Sequence, residues 1–167
     1  MPERTKLDWT IVGLCAGFVY ILAQSAYWEP EIRLLHVFQS LIYVVVSALC
    51  LRHSKWGYGA GVSISAFWLL LTTLGTTFLR NGVQEWAHFL MTGEIVRPGV
   101  FIAVPAGIDQ AGLIMCCVWA YTRLRDRRLG DLLVIGASAA ASIGYFVTMM
   151  ALFRPEFLTG VKHIFMR

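Results

Sequence analysis

PGVFIAVPAGIDQAGLIMCCVWAYT, running from Pro98 to Thr122, is the stretch whose reading decides the fold. At about 1.5 Å of rise per residue it is long enough to cross the roughly 30 Å of hydrocarbon in a bilayer. Its one charged residue, Asp109, lies near its middle. A carboxylate at that depth costs roughly 2.5–3.5 kcal/mol on insertion scales, so an intramembrane acid is a functional-site expectation by default. Pro105 precedes it by four positions and Gln110 follows it directly. Proline has no N–H to offer the carbonyl of Phe101 and bends a helix there. The sequence thus gathers a charge, a kink and an amide, and predicts room for water or a ligand beside them.

Four further apolar runs flank this one, giving expected spans at about 9–27, 33–51, 57–79, 98–122 and 131–153. The chain of 167 residues is 57% hydrophobic and only 14% charged, and its mean hydropathy is +0.65. A soluble core of that size cannot hide so much apolar surface, so lipid must cover it. The fold class expected is an all-α integral membrane protein, one domain over 1–167, with five transmembrane helices and no linker long enough to divide it. The first span has a basic start and an Ala23-Gln24-Ser25 end that resemble a signal peptide with its cleavage site; we expect it to be retained as a helix.

The net charge of +4 does not indicate nucleic acid, because the basic residues fall between the apolar runs rather than along one face. Arg4, Lys6, Arg52, Lys55, Arg123, Arg125, Arg127 and Arg128 fall on one side of the bilayer. Arg33, Arg80, Arg97, Arg154, Lys162 and Arg167 fall on the other. The positive-inside rule then places the N-terminus inside and the C-terminus outside, with the connector Arg123–Arg128 carrying most weight. Cys15, Cys50, Cys116 and Cys117 all lie within apolar runs, without a CxxC pair, and read as small buried hydrophobes rather than as a disulfide framework or zinc site.

Residues 80–97 are too polar to span. Val83, Trp86, Ala87, Phe89 and Leu90 recur at helical spacing with Gln84, Glu85 and His88 between them, which predicts a short amphipathic helix at the outer interface. It reads either as a plain surface helix or as a lid.

Small residues at spacing four occur in three spans: Gly57, Gly61 and Ser65; Gly99, Ala103, Gly107 and Ala111; Gly136, Ala140 and Gly144. Such ridges let backbones approach closely, so the third, fourth and fifth spans are expected at the tight centre of the bundle. Ser138, Ser142 and Tyr145 are expected to bridge helices, and Thr72, Thr73, Thr76 and Thr77 to bond back to their own helix.

The polar residues share one side of the membrane. The ligand-binding candidates are Asp109, Gln110, His36, Gln39, Arg80, Glu85 and His88, forming a pocket open outward with Asp109 at its floor and Arg80 as its candidate partner. Asp109 would carry a proton or donate a hydrogen bond when unpaired. No cofactor or metal is expected. A haem b would need His36 and a second histidine at matching depth, for which only His88 and the tail residue His163 qualify. No GxSxG, HExxH, P-loop or dinucleotide fingerprint is present, and no catalytic residue is assigned. Two functions remain: a site that binds, moves or modifies a small molecule, lipid or ion, and an accessory subunit of a larger membrane complex or homo-oligomer.

Overall fold

The computed structural model describes residues 5–124, 128–159 and 161. It is all-helical, with no strand among the described residues, and five of its helical segments are long and apolar enough to cross a membrane.

Helix α1, Lys6–Trp28, starts at a capping box. Thr5 accepts from the Asp8 backbone N–H at 3.3 Å, while Asp8 accepts from the Thr5 N–H at 2.6 Å and its hydroxyl at 2.8 Å. Two helix-end donors are thereby satisfied. A single turn at Pro30–Ile32 leads into α2, Arg33–Cys50. The connector 51–54 reverses the chain through His53, whose φ of +52° is left-handed.

Helix α3, Lys55–Leu70, is the centre of the bundle and packs on α2, on α6 (Ala103–Thr122) and on α7 (Asp131–Phe153). Its glycines allow this. A Cβ on Gly57 would meet Leu49 Cβ at 2.7 Å and the Cys50 backbone nitrogen at 2.8 Å, on Gly59 it would strike Ser138, and on Gly61 it would meet Cys117 Sγ at 2.7 Å. Each glycine therefore seats a different neighbour. The α7 ridge behaves otherwise. Gly136, Ala140 and Gly144 all face outward, the two glycines with nothing within 4 Å, while Ser138, Ser142, Phe146 and Met150 face inward. The expectation that this ridge helps form the tight centre is corrected: α7 meets the bundle through Ser138, Ser142, Phe146 and Met150 and turns the Gly136–Ala140–Gly144 ridge away.

Two expected spans are interrupted. The third ends at Gly75 rather than 79, in a π-helical turn over Leu71–Gly75 followed by extended backbone at Thr76. Thr72 and Thr73 donate to the carbonyls of Trp68 and Leu69 at 2.9 and 2.6 Å, the back-bonding that competes with the regular ladder. The fourth span divides at Ile102 into α5, Pro98–Phe101, and α6. Between the third and fourth spans lies α4, Phe78–Thr92, ended by Gly93 at φ +76°.

The carbonyl of Phe101 that Pro105 leaves free does not open space for a ligand. The Trp86 indole N–H donates to it at 2.8 Å, and the Trp86 ring stacks on Phe101 with centroids 4.4 Å apart. Glu85, only 3% exposed, accepts from the backbone N–H groups of Val96 and Arg97 at 2.7 and 2.9 Å and from Arg97 Nε at 3.0 Å. Gly82 lies directly against Ala103, and Gly107 against Leu79. Helix α4 is thus fastened along the start of the fourth span.

Contacts across the bundle define two ends. At one, Lys55 pairs with Asp131 at 2.9 Å and Tyr121 donates to Asp131 at 3.1 Å. At the other, Arg154 pairs with Glu31 at 3.1 Å and also with Glu156. We call these the Lys55 end and the Pro30 end. Arg4, Arg125, Arg127, Lys162, His163 and Arg167, all used in the charge and haem arguments, lie outside the described residues.

Candidate functional site

A cavity of ≈ 320 Å³ enters the bundle at the Pro30 end. Exposed Glu29 and Thr77 and half-buried Asn81 stand at its mouth, where α1 and the π-turn end and α4 begins. Its inner wall is Phe18, Leu22, Leu35, Trp68, Leu71, Ala106, Phe146 and Met150, drawn from all five long helical segments. The π-turn turns Leu71 and Thr72 toward this space, consistent with such turns marking functional positions.

Into this apolar wall projects one short polar chain. Ser25 on α1 and His36 on α2 are joined by a 2.9 Å bond between Ser25 Oγ and His36 Nε2. His36 Nδ1 lies 3.2 Å from the Gln39 side-chain oxygen. The roles are consistent in one arrangement: Ser25 donates to Nε2, and Nδ1–H donates to Gln39. The i, i+3 spacing of His36 and Gln39 puts both on one face of α2. Gln39 is 2% exposed, lines the cavity, and its amide nitrogen has no partner. A buried amide nitrogen left without an acceptor costs roughly 1–3 kcal/mol and stands out in a folded chain.

Beneath this cavity lies a second polar group. The rings of Phe18 and Tyr43 are 4.6 Å apart, and Phe18 meets Trp68 edge-on at 5.3 Å. The Tyr43 hydroxyl donates to Gln110 Oε1 at 2.9 Å, with both residues fully buried and neither lining the cavity. Gln110 Nε2 donates in turn to Asp109 at 3.4 Å. The Asp109 carboxylate is half-buried over Gly17 of α1, where an added Cβ would come within 3.1 Å of it.

The sequence candidates therefore do not gather at one place. His36 and Gln39 line the cavity. Asp109 and Gln110 belong to the layer below and do not line it. Glu85 fastens the 93–97 loop to α4, and the Arg97 backbone N–H, its guanidinium and the Val96 N–H hold the Glu85 carboxyl below the usual carboxylate range. Arg80 is exposed and forms no ion pair with Asp109; His88 is on α4 with its Nε2 buried and unpartnered. Both nitrogens of His36 are engaged by protein groups, so axial ligation of a haem would have to break the bond to Ser25 or to Gln39. No cluster of three or more metal-ligating side chains occurs among the described residues.

Ser25 and Tyr43 complete these two groups and were not among the candidates. Tyr43 carried a usable signal, since it follows Gln39 by four positions on the same helical face. Ser25 carried none, because only the approach of α1 to α2 brings it to His36. No known protein family, characterised protein or solved structure matches this chain.

Proposed function

We propose that this chain is a multi-pass integral membrane protein, acting as one domain, whose cavity at the Pro30 end binds a small, largely apolar molecule. The observation that carries the reading is Gln39: more than nine-tenths buried, with its amide nitrogen unpartnered, it lines a cavity whose inner wall is mostly apolar. Apolar concavities with a few convergent polar groups are the usual form of small-molecule sites. The exposed outer faces of the long helices, including Leu41, Val44, Val45, Leu132 and Leu133, suit contact with acyl chains.

Lys and Arg placement supports an orientation with the N-terminus and the 123–128 connector inside and the cavity mouth outside. Helix α4 would then lie at the outer interface, its underside held by Trp86 and Glu85. A cysteine introduced at Arg123 should resist an impermeant reagent added to intact cells; labelling from outside reverses the orientation.

The test of binding is native mass spectrometry of protein released from lipid nanodiscs, comparing the wild type with Gln39→Met. A discrete adduct on the wild type that is depleted in the variant is the expected result. A bare chain in both defeats the binding reading. Bare chain accompanied by a stoichiometric second polypeptide favours the other reading, an accessory subunit, which rests on the outward Gly136–Ala140–Gly144 face of α7.

A further inference from the structure

We propose that the ligand of this cavity is a neutral, carbonyl-bearing hydrophobe (a ketone, ester or quinone-like molecule) whose oxygen accepts a hydrogen bond from the Gln39 amide nitrogen. The inference rests on the binding reading above and narrows it to a chemical class.

The chemistry of the lining gives the class. The Gln39 oxygen faces His36 Nδ1 at 3.2 Å, so what the side chain leaves unpaired is a donor. A buried donor is matched by an acceptor, and an apolar acceptor-bearing molecule suits the surrounding Phe18, Trp68, Leu71 and Phe146. Charge excludes an anion. Among the described residues, no Lys or Arg lines the cavity; its only acidic or basic side chains are Glu29, at the mouth, and His36, whose two nitrogens face Ser25 and Gln39. A carboxylate or phosphate would be desolvated without a cation to receive it and would pass Glu29 on entry. An alkane fits the walls but leaves the amide unmet, at the cost of a buried unsatisfied donor.

The experiment is titration calorimetry on nanodisc-embedded protein, with empty nanodiscs as the partition blank. The probes are methyl nonyl ketone, undecane and decanoate. The wild type should bind the ketone roughly two- to ten-fold more tightly than the alkane, the range of one net hydrogen bond. Decanoate at neutral pH should bind most weakly. Gln39→Met, nearly isosteric and without a donor, should remove the preference for ketone over alkane while leaving alkane binding in place. Equal binding of ketone and alkane by the wild type overturns this inference and leaves the binding reading standing, as does decanoate binding tightest. Failure of all three probes to bind defeats the binding reading itself. The wild-type comparison decides the question even if Gln39→Met does not fold.

Discussion

At the scale of single residues, the two polar groups answer to different rules. Tyr43 and Gln110 are fully buried and bonded to each other at 2.9 Å. Tyr43→Phe strands the Gln110 oxygen, and we expect a loss of about 0.6–1.7 kcal/mol, the range for hydrogen bonds between membrane helices. Adding Gln110→Leu to Tyr43→Phe should recover part of that loss, since both partners then become apolar. Thermal unfolding in detergent of the two single variants and the double variant measures the coupling. Asp109 lies over Gly17 of α1 and does not line the cavity. Asp109→Asn should therefore alter probe binding less than Gln39→Met does. If Asp109→Asn abolishes binding instead, the two groups act as one site and Asp109 regains the role of floor that its position in the sequence suggested.

At the scale of elements, the break in the fourth span is a shared device of Pro105, Phe101 and Trp86. Proline removes a backbone donor, and an indole from another helix replaces it at 2.8 Å. Trp86→Phe should cost about 0.5–1.5 kcal/mol. Pro105→Ala restores a backbone N–H that can reach the Phe101 carbonyl, so Trp86→Phe should cost less in that background. Additive losses in melting experiments would show that the indole bond is not a substitute for the missing one. Glu85 gives the same junction a pH dependence. Its folded-state pKa lies below the unfolded value, which is about 4.3 for Glu. The stabilisation it supplies is present above that value and is lost as pH falls through the lower, folded-state one. Hydrogen exchange of the Val96 and Arg97 amides should accelerate across that acidic window in the wild type. Glu85→Gln should exchange faster at neutral pH and show no such step.

At the scale of the whole molecule, the closest helix approaches fall at glycines around α3 and between α4 and the fourth span. Gly57→Ala drives a Cβ against the backbone of α2, with Cys50 N at 2.8 Å, and should lower the melting temperature. Gly136→Ala and Gly144→Ala meet nothing within 4 Å and should leave the monomer's melting temperature unchanged or raised. A loss of oligomers on native gels with either α7 variant would instead mark that face as a contact between chains.

The number and approximate limits of the long apolar helices, and the polar character of the 80–97 segment, were legible in the sequence. Each follows from local hydropathy and helix length, which need no knowledge of neighbours. The gathering of polar side chains near one end was legible too, because depth along a helix is counted in residues. Which of those side chains meet was not legible. Rotation about each helix axis and the choice of neighbouring helix are set by packing, and these decide that His36 finds Ser25, that Gln110 finds Tyr43, that Arg80 stays outside, and that Trp86 fills the gap Pro105 makes. By itself the sequence determined a chain of five helices long and apolar enough to cross a membrane, with an acid midway along the fourth; only the tertiary structure kept that acid out of the cavity lining, because packing sets Asp109 over Gly17 of α1 while Phe18 and Trp68 wall the cavity.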